Sequence, residues 1–337
     1  MEKTGQRLIG PDILRAFAII AVVCGHFFSV NTPYNDAPFS GLSMFTQGYL
    51  KSIFCNTGVP LFLMLTGYFN LNKQLCKKYF YGIKRALIPY VVISLITWAV
   101  LSPNHSPVQL ILGVLGFKTI AYAWYIEMYV GLFLLIPFIN ILLREVFADK
   151  QHTKMYFVIL IFLTALPAIL ARGDYKLIPK YWEMNFPVLY YSIGAAIRHF
   201  QPSLGKHKPI AIGAMLSMWA IAPVSMYLIG MMWGVKVSLS SYYYSVIHVA
   251  AATILFMLLY RIQHLPVGFT KVITSIARHS YEMYLFSFMM DKLLYPQFIS
   301  RFYTAQSEFL IWFVPITVCS LVASYVASFI YKKIVRI

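Results

Sequence analysis

Long apolar runs recur from Ile13 to Ile334 with only short polar breaks between them. A chain built this way has few ways to fold. In hydrocarbon every backbone N–H and C=O must be satisfied inside the segment, so runs of ~20 apolar residues are read as membrane-spanning helices. Composition agrees: 60% of the 337 residues are hydrophobic and 12% charged, too little polar surface to cover a globule in water. The expected fold class is all-α, a polytopic integral membrane protein of about ten transmembrane helices. Spans are expected near residues 12–30, 50–69, 86–103, 122–143, 155–171, 184–199, 209–229, 240–260, 270–292 and 309–331. The first run is expected to be a retained helix rather than a cleaved signal peptide. Residues 1–337 are read as a single transmembrane domain with no appended soluble domain.

The net charge of +17 would suggest nucleic acid in a soluble protein. Here the basic residues fall in loops, where they set orientation, so no nucleic-acid partner is expected. Alternate loops carry 18 Lys and Arg on one side and 8 on the other, while Arg15 and Arg278 lie in or at the edge of spans. The excess belongs in the cytosol, which places both termini there. Cys24, Cys55, Cys76 and Cys319 form no CxxC pair and no regular spacing. They support neither a disulfide framework nor a zinc site, so no metal is expected.

Polar groups kept inside apolar spans are costly and mark sites. The run ILRAFAIIAVVCGHFF holds Arg15 and His26. Eleven positions at ~100° each return to the same helix face, about 16 Å further along the axis. The pair can address one elongated ligand, Arg15 a phosphate and His26 a proton. The structural alternative has Arg15 snorkelling to lipid phosphate and His26 bonding between helices.

The second span opens with Gly58, Val59, Pro60 and closes with Thr66, Gly67, small residues and a proline that permit close backbone approach or a broken helix. Lys77, Lys78, Lys84 and Arg85 follow as a basic cluster on the side of Arg15. It suits nucleotide phosphates and anionic lipid headgroups equally, and only Arg85, at a helix entrance, carries separate weight. Glu127, between Trp124–Tyr125 and a long apolar stretch, is a candidate to orient or charge-stabilise His26, or to pair with an arginine. His248, Glu282 and Asp291 are read as packing or helix-end residues.

With the Arg15 and His26 spacing, preceded by Asp12 and Leu14, then GVPLF leading to TGYF, then AWYIEMYVGLFLLIP and SYEMYLF, the chain resembles the membrane acyltransferase 3 family from Asp12 to about Ser287. The resemblance implies a ten-helix protein of a bacterial cytoplasmic (inner) membrane. It implies transfer of an acyl group, usually acetyl, from cytosolic acetyl-CoA to a hydroxyl of a cell-surface glycan or lipid-linked sugar acceptor. It further implies His26 as catalytic base; Glu127, from its place at an apolar helix, is the second catalytic candidate. Arg15 and Arg85 would hold the CoA phosphates, with Gly58, Pro60, Thr66 and Tyr125 completing the donor-binding set and the pantetheine arm running up the first helix. Two positions depart from the family pattern: Thr66 stands where Ser is usual, and Ser287 where a His is frequent. A transporter or flippase for a glycolipid or small solute is the alternative class, because charged groups within a bundle also mark translocation paths. The sequence leaves a homo-oligomer open.

Overall fold

The computed structural model describes residues 8–37, 39–103, 106–172, 175–239, 242–302 and 309–335; Lys3, Arg7 and Arg336, used above for orientation, lie outside them. Among the described residues the regular structure is helical apart from a two-residue antiparallel pairing, Ala171 with Lys176 and Arg172 with Tyr175. Among the described residues, seven segments are long and apolar enough to cross a membrane: Ile9–Asn31, Leu42–Asn70, Lys77–Leu101, Ala121–Ala148, Lys150–Leu170, Gly205–Trp233 and Phe309–Val335. Each coincides with an expected span. The other three expected spans are also helices, α10 (Phe186–Phe200), α12 (Val246–Leu259) and α13 (Val267–Phe302). The first two are short, at 15 and 14 residues, and α13 carries polar residues along much of its length.

Pro137 lies inside α7 (Trp124–Ala148), while two other prolines sit where helices tolerate them. Pro187 lies in the first turn of α10, where no intrahelical N–H is needed. Pro167 opens the short α9 (Pro167–Leu170) directly after a π-helical turn, Ile161–Ala165.

The chain forms two compact units, each discontinuous in sequence. The first comprises residues 1–69 and 157–280. It contains α1 (Ile9–His26), α2 (Leu42–Cys55), α3 (Gly58–Asn70), α10, α11 (Lys208–Trp233) and α12, with α2 packed on α1 and α11, and α12 on α11 and α1. Glycines let these helices approach backbone to backbone. A Cβ on Gly194 would lie 2.7 Å from Met64 Cα, and one on Gly67 would lie 2.8 Å from the Tyr191 carbonyl carbon, so α3 and α10 interlock reciprocally. Leu14, Ile19, Met44, Leu61, Leu63, Tyr191 and Phe256 are among the fully buried side chains of this unit. Buried His248 of α12 is held by Asn56, Nε2 to Nδ2 at 3.2 Å.

The second unit comprises residues 70–156 and 281–337, including α4 (Lys77–Tyr81), α5 (Lys84–Leu101), α6 (Pro107–Leu115), α7 (Trp124–Ala148) and α14 (Phe309–Val335). Three of its buried polar groups, Asp291, Glu282 and Asn140, are matched with partners, as a low-dielectric interior favours. The Asp291 carboxylate accepts from Tyr122 Oη at 2.9 Å and Ser320 Oγ at 2.5 Å. Glu282 pairs with Lys332 at 2.9 Å. Asn140 donates to the carbonyls of Asn70 (2.7 Å) and Lys73 (2.9 Å), tying the loop after α3 to α7. His248, Glu282 and Asp291 thus hold packing partners.

Candidate functional site

The first unit holds Arg15, His26, Gly58, Pro60 and Thr66; the second holds Arg85, Tyr125 and Glu127. Arg15 and His26 lie on one uninterrupted helix, α1, so the face they share follows from helical period alone. The segments around each residue are less regular than the period implies.

At the His26 end, α1 passes directly into a π-helical turn, Phe27–Asn31. Widening a helix by one residue per turn re-aims side chains and loosens carbonyls from their usual partners, and such turns concentrate at functional sites. The Gly25 carbonyl, one residue before His26, accepts from Ser29 Oγ at 3.0 Å and from Cys55 Sγ at 3.2 Å. Thr32 Oγ1 closes the turn on the Phe27 carbonyl at 2.6 Å. Gly25 is also where α2 comes closest: a Cβ there would meet Cys55 Cα at 3.1 Å. The half-buried imidazole therefore stands at a junction fixed from two helices.

At the Arg15 end, Nη1 is 3.3 Å from Asp12 Oδ1, and the guanidinium lies over the Phe69 ring, 5.5 Å from its centre. The carboxylate and the ring hold the fork in one orientation while about a third of the side chain stays exposed. The preceding residue repeats the pattern. Arg198 of α10 lies over Tyr68 at 5.2 Å and donates to its hydroxyl at 3.4 Å. Adjacent aromatics of the TGYF motif thus each carry one arginine, and two guanidinium groups gather where α3 ends. Sequence reading gave Arg198 no role, because nothing in local spacing couples it to a residue 130 positions away.

Between the two ends, Gly58 at the start of α3 backs onto α1. A Cβ there would be 2.5 Å from Val22 Cγ2 and 2.9 Å from the Ala18 carbonyl. By helical period Val22 lies on the Arg15 and His26 face and Ala18 beside it, so α3 covers part of that face at Gly58. Pro60 is buried in the first turn of α3, and Thr66 returns its hydroxyl to the Phe62 carbonyl at 2.8 Å. Both serve the course of α3. The α2–α3 segment is broken at Asn56 and Thr57, immediately before Gly58.

In the second unit Arg85 is exposed at the start of α5. Glu127 is exposed in the first turn of α7, where its charge complements the helix N-terminus. That first-turn position accounts for an acid beside an apolar stretch without a buried partner. Tyr125 joins a ladder of rings on one face of α7: Tyr125 to Tyr129 at 6.4 Å, Tyr129 to Phe133 at 6.1 Å, and Phe133 stacked on Tyr79 of α4 at 4.4 Å. Tyr284 of the SYEMYLF motif packs edge-on against Tyr125 at 5.9 Å.

Helices of this length and apolarity, with polar groups concentrated at the two ends of the first, define a multi-pass membrane protein. The family model for the acyltransferase domain, acyltransferase 3, matches residues 8–329, and the chain belongs to that family. It is accordingly a membrane acyltransferase. No curated protein and no solved structure matches it.

Proposed function

We propose that the protein is an O-acyltransferase of a bacterial cytoplasmic membrane that moves an acetyl group from cytosolic acetyl-CoA to a hydroxyl of a cell-surface glycan or lipid-linked sugar. The observation that carries this reading is the pairing of an oriented guanidinium, Arg15, with an imidazole, His26, about 16 Å apart on one face of α1. Both termini lie in the cytosol on this reading, so the Arg15 end faces the donor and the His26 end faces the acceptor. Arg15 and Arg198 hold CoA phosphates, a planar fork being suited to bidentate contact. Arg85 remains a further candidate for the same group. A thioester needs little activation, so the main requirement is to bring hydroxyl, base and carbonyl together. His26 takes the acceptor proton as the hydroxyl oxygen attacks the thioester carbonyl. The tetrahedral intermediate collapses with loss of the CoA sulfur, which receives that proton from the imidazolium. The products are an acetyl ester and free CoA thiol.

The test is thiol release from acetyl-CoA by the purified protein with an envelope glycan fraction as acceptor. Release that requires both the acceptor and His26 supports the reading. Acetyl transfer that persists in His26→Ala would sink it.

A further inference from the structure

Beside the His26 end of α1, the first unit contains a cavity of about 140 Å³ whose wall is basic. Four segments build it. Gly48, Lys51 and Ser52 lie at helical spacing on α2, with Asn56 at its C-cap; Pro223 and Met226 come from α11, Tyr34 from the loop after the π turn, and Lys236 from the segment after α11. Gly48 lets the walls close on one another, since a Cβ there would meet Met226 Cε at 3.0 Å and Tyr34 Oη at 3.1 Å. Tyr34 is buried and packs edge-on against Phe28, two residues beyond His26, with ring centres 5.8 Å apart. Asn56 follows Cys55, the residue in contact with Gly25. The cavity is thus coupled to the His26 junction through two independent contacts.

Its chemistry is that of an anion receptor. Both ammonium groups lie over the Tyr34 ring, Lys236 Nζ at 4.1 Å and Lys51 Nζ at 4.8 Å from the centre. Lys51 is steadied by Asn35 Oδ1 at 2.6 Å and Lys236 by the Ala37 carbonyl at 3.2 Å, both neutral acceptors, and the acid acting on Lys236 is the exposed Asp36. Two like charges held on one ring repel, and an arrangement of this kind is relieved by an anion between them. Ser52, 2% exposed, is among the residues lining the same cavity, and its buried Oγ has no hydrogen-bond partner among the described residues. A buried hydroxyl left this way is costly unless a ligand or water completes it.

We propose that this cavity binds an acidic group of the acceptor, a carboxylate or a phosphate, through Lys51, Lys236 and Ser52, so that the sugar presented to His26 is part of an anionic glycan or anionic lipid-linked precursor. The acceptor assignment rests on the acyltransferase reading; the anion site does not. Volume favours a single acidic group over a whole sugar chain, leaving the acceptor hydroxyl to lie outside, toward the π turn.

The test is calorimetric titration of the full chain in neutral-lipid nanodiscs, at constant ionic strength, with glucuronate, inorganic phosphate and glucose. Glucuronate, phosphate or both should bind, and their order tells carboxylate from phosphate; glucose should not bind. Lys51→Gln and Lys236→Gln should each weaken binding at least tenfold, Lys51→Arg should retain it, and Lys118→Gln, which is not among the lining residues, should bind as wild type. Melting temperatures confirm that each variant is folded. Absence of anion binding by wild type, or binding unchanged in the double Lys→Gln variant, overturns the site. If nanodiscs containing phosphatidylglycerol abolish the binding of both soluble anions, the cavity holds a lipid headgroup and the acceptor assignment falls. Thiol release from acetyl-CoA, measured in parallel, separates the two claims. Anion binding without thioester consumption keeps the site and removes the acetyl-CoA reading, and the converse removes only the site.

Discussion

Arg15 is held between a carboxylate and a ring: its Nη1 lies 3.3 Å from Asp12 Oδ1 and its Cζ 5.5 Å from the centre of Phe69. The aspartate is almost wholly buried, so the pair is poorly screened and its geometry persistent. A guanidinium fixed this way keeps its outward N–H groups aimed before any ligand arrives, which lowers the ordering cost of binding one.

Arg15→Lys should therefore raise the KM for acetyl-CoA by roughly 10- to 100-fold, the loss expected when a charged hydrogen-bonded contact worth about 1.5–3 kcal/mol is removed. Phe69→Leu, which removes only the ring, should raise it a few-fold, matching a cation–π term of about 0.5–1 kcal/mol. Steady-state kinetics against acetyl-CoA at saturating acceptor decides both. An unchanged KM in Arg15→Lys would remove the arginine from the donor site.

His26→Ala should lower kcat by roughly 10²- to 10⁴-fold, the range for loss of a general base, while donor binding stays near wild type. Single-turnover measurement of thiol release, with CoA affinity taken separately, distinguishes a chemical defect from a binding one.

Gly194→Ala and Gly67→Ala each push a methyl group into facing backbone, with the Met64 Cα at 2.7 Å and the Tyr191 carbonyl carbon at 2.8 Å. Backbone cannot swing aside as a flexible side chain can. Each change should destabilise the first unit by about 1–3 kcal/mol, seen as a lowered melting temperature in detergent. Gly131→Ala, where nothing lies within 4 Å of the added atom, is the matched control and should melt with wild type.

Asp291→Ala leaves the buried hydroxyls of Tyr122 and Ser320 without their acceptor. A loss of about 1–3 kcal/mol per orphaned group is expected, with Asp291→Asn milder because a carbonyl oxygen remains. Denaturant midpoints for the pair of variants test this.

Anion binding at the cavity should depend on pH through Lys236, whose ammonium is pushed down to about 8, chiefly by burial and then by Lys51, with Asp36 acting in the opposite sense. Tyr34, the third group facing it, is held neutral by burial, which raises its hydroxyl above the usual range. A bound anion favours the charged lysine and lifts its pKa. Affinity should then be full below about pH 8 and fall above it, with protons taken up on binding in that upper range. Titration in buffers of different ionisation enthalpy reads the uptake directly, and Lys236→Arg should remove the fall.

The sequence by itself determined the all-helical membrane character, the position of seven spans, and the shared face of Arg15 and His26. All three follow from local rules: backbone satisfaction in hydrocarbon, apolar run length, and a period of 3.6 residues. It also marked Gly58 and Gly67 as points of close approach, though not what approaches. Glu127 shows the limit of such reading, since an acid next to an apolar run looks buried until its helix is seen to begin at Trp124, leaving the carboxylate exposed in the first turn. Tertiary structure alone decided the π turn after His26, the seating of Arg198 on Tyr68, and the meeting of Lys51 with Lys236 over Tyr34. These depend on which helices pack together, and the energy that selects a partner is spread over glycine seams and buried rings far apart in the chain.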